Sequence, residues 1–137
     1  MNREILFRGK KLDNGEWVYG FYVREEGLKG DGFHSISHTI ITKREPFRLY
    51  QDRVYADTIG QYTGLKDRNG VKIWEGDVFH LGDPNILYVV VWQDAGLVGR
   101  QRGNRSSVGL SYWAPYLEIV GNIHDNPELL EVLGDEA

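Results

Sequence analysis

Gln61-Tyr62-Thr63-Gly64-Leu65-Lys66-Asp67-Arg68-Asn69-Gly70-Val71-Lys72-Ile73-Trp74-Glu75-Gly76-Asp77-Val78-Phe79 is the stretch on which the fold of this chain turns. Asp67-Arg68-Asn69-Gly70 ends in Asn-Gly, the dipeptide that best tolerates positive φ at both central positions of a type I′ turn. The twist of that turn matches the twist of paired strands. Tyr62 and Leu65 before it, and Val71, Ile73 and Trp74 after it, therefore read as the arms of a hairpin. Glu75-Gly76-Asp77 is a second break, and Val78-Phe79-His80-Leu81 follows it. A glycine between two carboxylates, with strand patterns on both sides, predicts a sharp bend where a strand leaves its first partner. Such bends curl short strands into a closed barrel, so residues 58–137 are expected to form a small SH3-like β-barrel.

Upstream, residues 1–57 read as an N-terminal β subdomain. Ile5-Leu6-Phe7-Arg8 and Glu16 to Val23 flank another Asn-Gly, Asn14-Gly15. Trp17, Tyr19, Phe21 and Val23 alternate with Val18, Gly20 and Tyr22, and this period of two predicts a hairpin over residues 5–23. The glycines between Glu25 and Gly32 predict a loop, and Phe33 to Thr42 a strand. Lys43-Arg44-Glu45-Pro46 is a break, because Pro46 disfavours helical angles at Glu45. Phe47 to Ile59 fits neither the helix nor the strand template.

Downstream, residues 86–92 (Ile-Leu-Tyr-Val-Val-Val-Trp) are apolar at every position and predict a strand buried on both faces. Residues 96–109 hold four glycines, three arginines and no acid, and predict a flexible basic loop. Leu110 to Trp113 and Tyr116 to Val120 read as strands split by Pro115. Asn126 as cap, Pro127 at the first helical position and Glu128 beside the dipole predict a short C-terminal helix. Leu129, Leu130, Val132 and Leu133 supply its apolar stripe, and Gly134 its stop. The expected class is mainly β with a minor helical part.

With 137 residues the chain can bury roughly two thirds of its unfolded surface, enough for a core without staples. It has no cysteine, which excludes disulfides, zinc-thiolate sites and a thiol nucleophile, and fits a reducing cytoplasm. No segment approaches the ~18 apolar residues of a membrane span, and Met1-Asn2-Arg3-Glu4-Ile5 lacks the layout of a signal peptide. A soluble, cytoplasmic protein without membrane contact is expected. Net charge is −4, and after Arg105 there are six acids and no Lys or Arg. That distribution argues against a general nucleic-acid backbone binder, while leaving room for a local basic patch.

Asp67, Glu75, Asp77 and His80 are the one acidic-plus-histidine cluster around a turn. They allow a metal site or an acid/base pair, but turn chemistry accounts for the carboxylates more simply. His34 and His38 lie four apart in a strand pattern, about 13 Å, too far for one zinc ion. Ser106-Ser107 lack a nucleophile-elbow context, and no phosphate-cradling glycine motif is present. No catalytic residue, metal or cofactor is assigned. Arg100, Arg102 and Arg105, near Tyr112, Trp113 and Tyr116, are the candidate nucleic-acid contacts: arginines following a backbone while aromatics stack on bases. Four Trp, eight Tyr and five Phe exceed what one small core readily buries, so self-association is expected.

Arg3-Glu4-Ile5-Leu6-Phe7-Arg8-Gly9-Lys10 running into Asn14-Gly15-Glu16-Trp17-Val18-Tyr19-Gly20, then Gly60 to Asp67 with Asn69-Gly70 and Ile73-Trp74-Glu75-Gly76-Asp77-Val78, and finally Val120 to Leu130 are three distinctive segments. Together they resemble the YopX family of bacteriophage and prophage proteins. The resemblance implies phage or prophage origin and a largely β fold, with no assigned activity and no catalytic residues to carry over. The expected function is a non-enzymatic accessory module that oligomerises or binds a host or phage protein. The alternatives are nucleic-acid binding through the Arg100–Arg105 segment and a metal-dependent enzyme built on Asp67, Glu75, Asp77 and His80.

Overall fold

The computed structural model describes residues 4–28, 34–44 and 48–131. The chain divides into two compact units, Met1–Gln61 and Tyr62–Ala137. The mainly β expectation holds in both.

In the first unit, β1 (Phe7–Lys10), β2 (Trp17–Leu28), β3 (His34–Arg44) and β4 (Arg48–Arg53) form an antiparallel ladder in the order β4-β3-β2-β1. Gly60 and Gln61, which open β5 (Gly60–Lys66), pair with Arg8 and Phe7 on the far side of β1. The predicted hairpin is present, with Lys10 opposite Trp17 and Phe7 opposite Gly20. The loop expected from Glu25 is instead strand as far as Leu28, because β3 provides a ladder partner for every residue from Phe21 to Leu28. The rest of that predicted loop, and the break at Glu45-Pro46, lie outside the described residues. The ambiguous segment resolves into β4 and a 3₁₀ turn at Ala56–Thr58. Thr58 ties that turn to β1: its hydroxyl accepts from the Lys10 amide at 2.8 Å and donates to the Tyr55 carbonyl at 2.7 Å. Alternation along β2 turns Val18 and Tyr22 inward to meet Ile40, Val54, Phe7 and Ile59.

In the second unit, the remainder of β5 pairs with β6 (Lys72–Trp74), Tyr62 opposite Trp74 and Lys66 opposite Lys72. Next come β7 (Asp77–His80), β8 (Tyr88–Gln93), β9 (Gly96–Gln101), β10 (Ser107–Gly109), a single helical turn α1 (Leu110–Trp113) and β11 (Glu118–Asn122). Five of these strands form a sheet in the order β10-β9-β8-β7-β11. It has two edges, so the expected SH3-like barrel is not formed. Of the two strands predicted around Pro115, Leu110 to Trp113 is instead the helical turn α1, followed by a 3₁₀ turn at Ala114–Tyr116, whereas Tyr116 to Val120 overlaps β11. Pro115 lacks the N–H that a ladder needs and sits in that turn, where the loss is harmless. The segment gives Leu110 and Ala114 to the core beside Ile73, Phe79, Val90 and Leu117. Gly99 is required there, since a Cβ would stand 2.4 Å from the ring of Phe79.

The predicted basic loop is an ordered hairpin, β9 and β10, with Val108 opposite Gly99. β8 is not buried on both faces: Val90 faces the core, Val89 and Val91 on the other face are half-buried, and Trp92, on Val90's face, is 48% exposed. The C-terminal element is a 3₁₀ turn, Pro127–Leu130, and Asn126 does not cap it. The Asn126 side chain accepts instead from the Asn122 amide at 3.2 Å. Val132, Leu133 and Gly134 lie outside the described residues.

The central turn departs from type I′ for a chemical reason. The Asp67 carboxylate accepts from the amides of Asn69 at 2.8 Å and Val71 at 2.9 Å. The Gly70 amide bonds to the Asp67 carbonyl, and the Asp67 amide to the Val71 carbonyl. Gly70 has φ +79°, while among the described residues Asp94 is the one non-glycine residue with positive φ. This is a type I turn closed by a glycine bulge, with the Asp67 side chain setting its shape. The second carboxylate of the stretch works alike: Asp77 accepts from the Trp74 amide at 2.7 Å across the Gly76 bend.

Asp67 also accepts from the Ile119 amide of β11 at 3.2 Å. Because Asp67 is 6% exposed, Asp67→Ala leaves three amides short of their acceptor. A loss of about 2–4 kcal/mol is expected in urea unfolding. Asp94, at φ 56°, lies in the tight loop whose flanks Gln93 and Gly96 pair. Asp94→Gly is expected to leave stability unchanged or raise it by up to about 1 kcal/mol, and Asp94→Val to lower it by about 1–2 kcal/mol.

Candidate functional site

The acidic cluster around the central turn is occupied by backbone and neighbouring side chains. Asp67 and Asp77 are buried amide acceptors, as described. Glu75 accepts from the indole N–H of Trp92 at 3.2 Å. His80 accepts the Gly82 amide on Nδ1 at 3.0 Å, which places the proton of the neutral ring on Nε2, 3.5 Å from a Glu118 oxygen. Glu118 in turn pairs with Arg68. The four residues thus hold turns and strand ends, and their ligand positions do not converge. Among the described residues no three His, Asp or Glu side chains group as a metal ion would need.

The remaining polar candidates have local roles as well. The His38 ring stacks on Tyr22, with its Nδ1 2.6 Å from the tyrosine hydroxyl. The His124 amide donates to the Asn122 side chain at 2.9 Å. Ser106 lies in the turn between β9 and β10, where its amide donates to Asn104 at 2.7 Å.

The three arginines part company. Arg102 donates to the carbonyls of Leu129 and Glu131, each at 3.1 Å, and to that of Asn85 at 3.2 Å. It fastens the C-terminal 3₁₀ turn to the β7–β8 connection. Arg100 is exposed on β9 and donates to the Gln93 side chain at 3.2 Å. Arg100, Arg105 and Gln93 border one open recess of about 300 Å³. Gln93 escaped the sequence reading because its side chain meets Arg100 only through the pairing of β8 with β9. Tyr112, Trp113 and Tyr116 form a ring cluster with centroids 5.1–6.2 Å apart, and Tyr112 is 69% exposed. It begins at the Gly109 end of β10, opposite Val98, whereas Arg100 is opposite Ser107.

A second surface lies on the first unit. Strand alternation puts Tyr19 and Phe21 on the face opposite the core, and register sets Phe21 against Ile41 and Lys43 against Leu49. Phe21 is 60% and Leu49 66% exposed. The alternation in the sequence separates the two faces of β2 but does not say which is inward; packing of Val18 and Tyr22 into the core decides it. Leu49 was not legible there, because β4 lacks alternation of its own. Among the described residues no helix is long and apolar enough to cross a membrane.

No curated protein matches the chain. Among solved structures it is similar to protein EF1440 from Enterococcus faecalis, with 21% identity over 95% of this chain and 100% of that one and a TM-score of 0.54. At that identity the likeness concerns the fold alone. Residues 6–131 match the family described as YopX protein. With most of its length inside that match, the chain belongs to the YopX family.

Proposed function

We propose that this protein is a non-enzymatic, cytoplasmic accessory module of phage or prophage origin that acts by binding, first of all to a second copy of itself. The supporting observation is the outer face of β2, β3 and β4, where Tyr19, Phe21 and Leu49 are exposed, with the half-buried Ile41 opposite Phe21, and present apolar surface that the core does not use. Several exposed apolar side chains on one sheet face mark an interface more often than a single exposed side chain does. β4 adds to this: it is the last strand of its ladder and its residues are largely exposed. The charged ends Arg48 and Arg53 limit indiscriminate edge pairing, which favours one defined partner over open-ended association. A host or phage protein with a complementary apolar strand face is the further partner class.

Nucleic-acid binding is the second reading. It draws on Arg100 and Arg105 at their shared recess, with Arg102 committed to the fold. Salt-dependent binding of single-stranded DNA or RNA, lost in the Arg100→Ala/Arg105→Ala double variant, is its expected signature.

Light scattering at micromolar concentration is expected to give a mass above the 15.7 kDa of one chain. The Phe21→Asp/Leu49→Asp variant is expected to run as a monomer with an unchanged circular dichroism spectrum, as both side chains are exposed. A wild-type protein that stays strictly monomeric sinks the self-association reading.

A further inference from the structure

We infer that the recess bordered by Gln93, Arg100 and Arg105 is a binding site for a phosphate group carried on a small organic ligand. The inference stands whether or not the chain self-associates or binds a nucleic-acid strand. Ladder register builds the site. Arg100 lies opposite Ser107 across β9 and β10, Gly109 opposite Val98, and Gln93 opposite Gly96. Since alternate strand residues share a face, Arg100, Gln93, Ser107, Val98 and the two glycines lie on the side away from Phe79 and Val90. None of these six is acidic.

The polar side chains are arranged for an oxyanion. Gln93 accepts from one Arg100 nitrogen at 3.2 Å, and its amide nitrogen lies 3.5 Å from the Ser107 hydroxyl. Gln93 thereby holds the Arg100 fork in place while leaving other guanidinium N–H groups for a ligand. Arg105 lines the same recess and adds a second arginine to it. Two arginines with a hydroxyl nearby offer the kind of donors that phosphate oxygens accept as paired charge-assisted bonds.

Two glycines on the same face leave the strands around the recess bare of side chains. A Cβ at Gly96 or at Gly109 would meet nothing within 4 Å. Gly109 has φ −78° and ψ 126°, an extended conformation that any residue adopts, so its backbone does not require glycine. What glycine provides there is clearance above the half-buried Val98. At about 300 Å³ the recess stands at the lower bound of small-ligand sites and exceeds the needs of a bare phosphate ion. A phosphomonoester with a compact organic group, such as a nucleoside monophosphate, suits it.

The test is calorimetric titration of the whole chain, at low salt, with inorganic phosphate, with a nucleoside monophosphate and its parent nucleoside, and with a short oligothymidylate. The monophosphate is expected to bind best and the nucleoside at least tenfold more weakly. Arg100→Ala and Arg105→Ala are each expected to weaken the monophosphate about tenfold or more, the loss of a charge-assisted contact. Gly109→Val fills the clearance without altering charge and is expected to weaken the monophosphate more than inorganic phosphate. Circular dichroism reports whether each variant is folded. Binding of the oligonucleotide alone, equal binding of nucleoside and monophosphate, binding unchanged in the two arginine variants, or no binding at all overturns the inference. The self-association face is untouched by these variants, so its success or failure is read separately by light scattering.

Discussion

A buried carboxylate must be matched by donors, and in this chain Asp67 is matched by the amides of Asn69, Val71 and Ile119. Two belong to its own turn and the third to β11, 52 residues further along. One side chain therefore sets a local backbone shape and also pins a distant strand. Desolvation makes the arrangement all or nothing, since an amide buried beside an absent acceptor is costly. The Asp77–Trp74 contact repeats the device across the next bend. Between them the two acids hold β5 through β7 in a path that hydrophobic pattern alone would leave loose. The same occupancy bears on chemistry, because a carboxylate whose oxygens already serve backbone amides is poorly placed to move a proton or bind an ion.

Much of the first unit could be read directly from the chain. The period of two from Trp17 to Val23 identifies a strand and its two faces, while the choice of Val18 and Tyr22 for the core with Ile40 and Val54 comes from packing. β4 and the end of β2 were harder to see because their pairing arises from β3, not from local pattern. A strand carrying Glu25, Glu26 and Gly27 has no inward residue to announce it; it exists because a partner ladder satisfies its amides. Tertiary pairing overrides weak strand propensity there.

In the second unit the turns were located correctly and their consequences were not. Glycine-rich sequence from Gly96 to Gly109 suggested a loop, yet several of those glycines serve packing and clearance inside a hairpin. Gly99 yields to Phe79, a requirement visible only once β9 lies across β7's ring. Likewise Tyr112 to Tyr116 carry aromatic strand-like composition, but Pro115 and the inward pull of Leu110 and Ala114 make the segment helical. The inference of closure failed for that reason, as the connection between the two edge strands packs against the sheet with side chains and offers it no backbone bonds. For the candidate site, the arginines stood out by composition. Which of them serve the fold depended on the carbonyls of Asn85, Leu129 and Glu131, which no pattern of side chains reveals.

The dependence of Asp67 on Ile119 also bears on synthesis. The ladder of β1 to β4 and its core involve residues that leave the ribosome early and in sequence, so that unit can consolidate while translation continues. β7 must wait for β11, and the turn at Asp67 lacks one of its donors until the same late segment arrives. Until then Phe79 and Val90 lack their core partners Leu110, Ala114 and Leu117, so the nascent second unit keeps apolar surface exposed longer than the first.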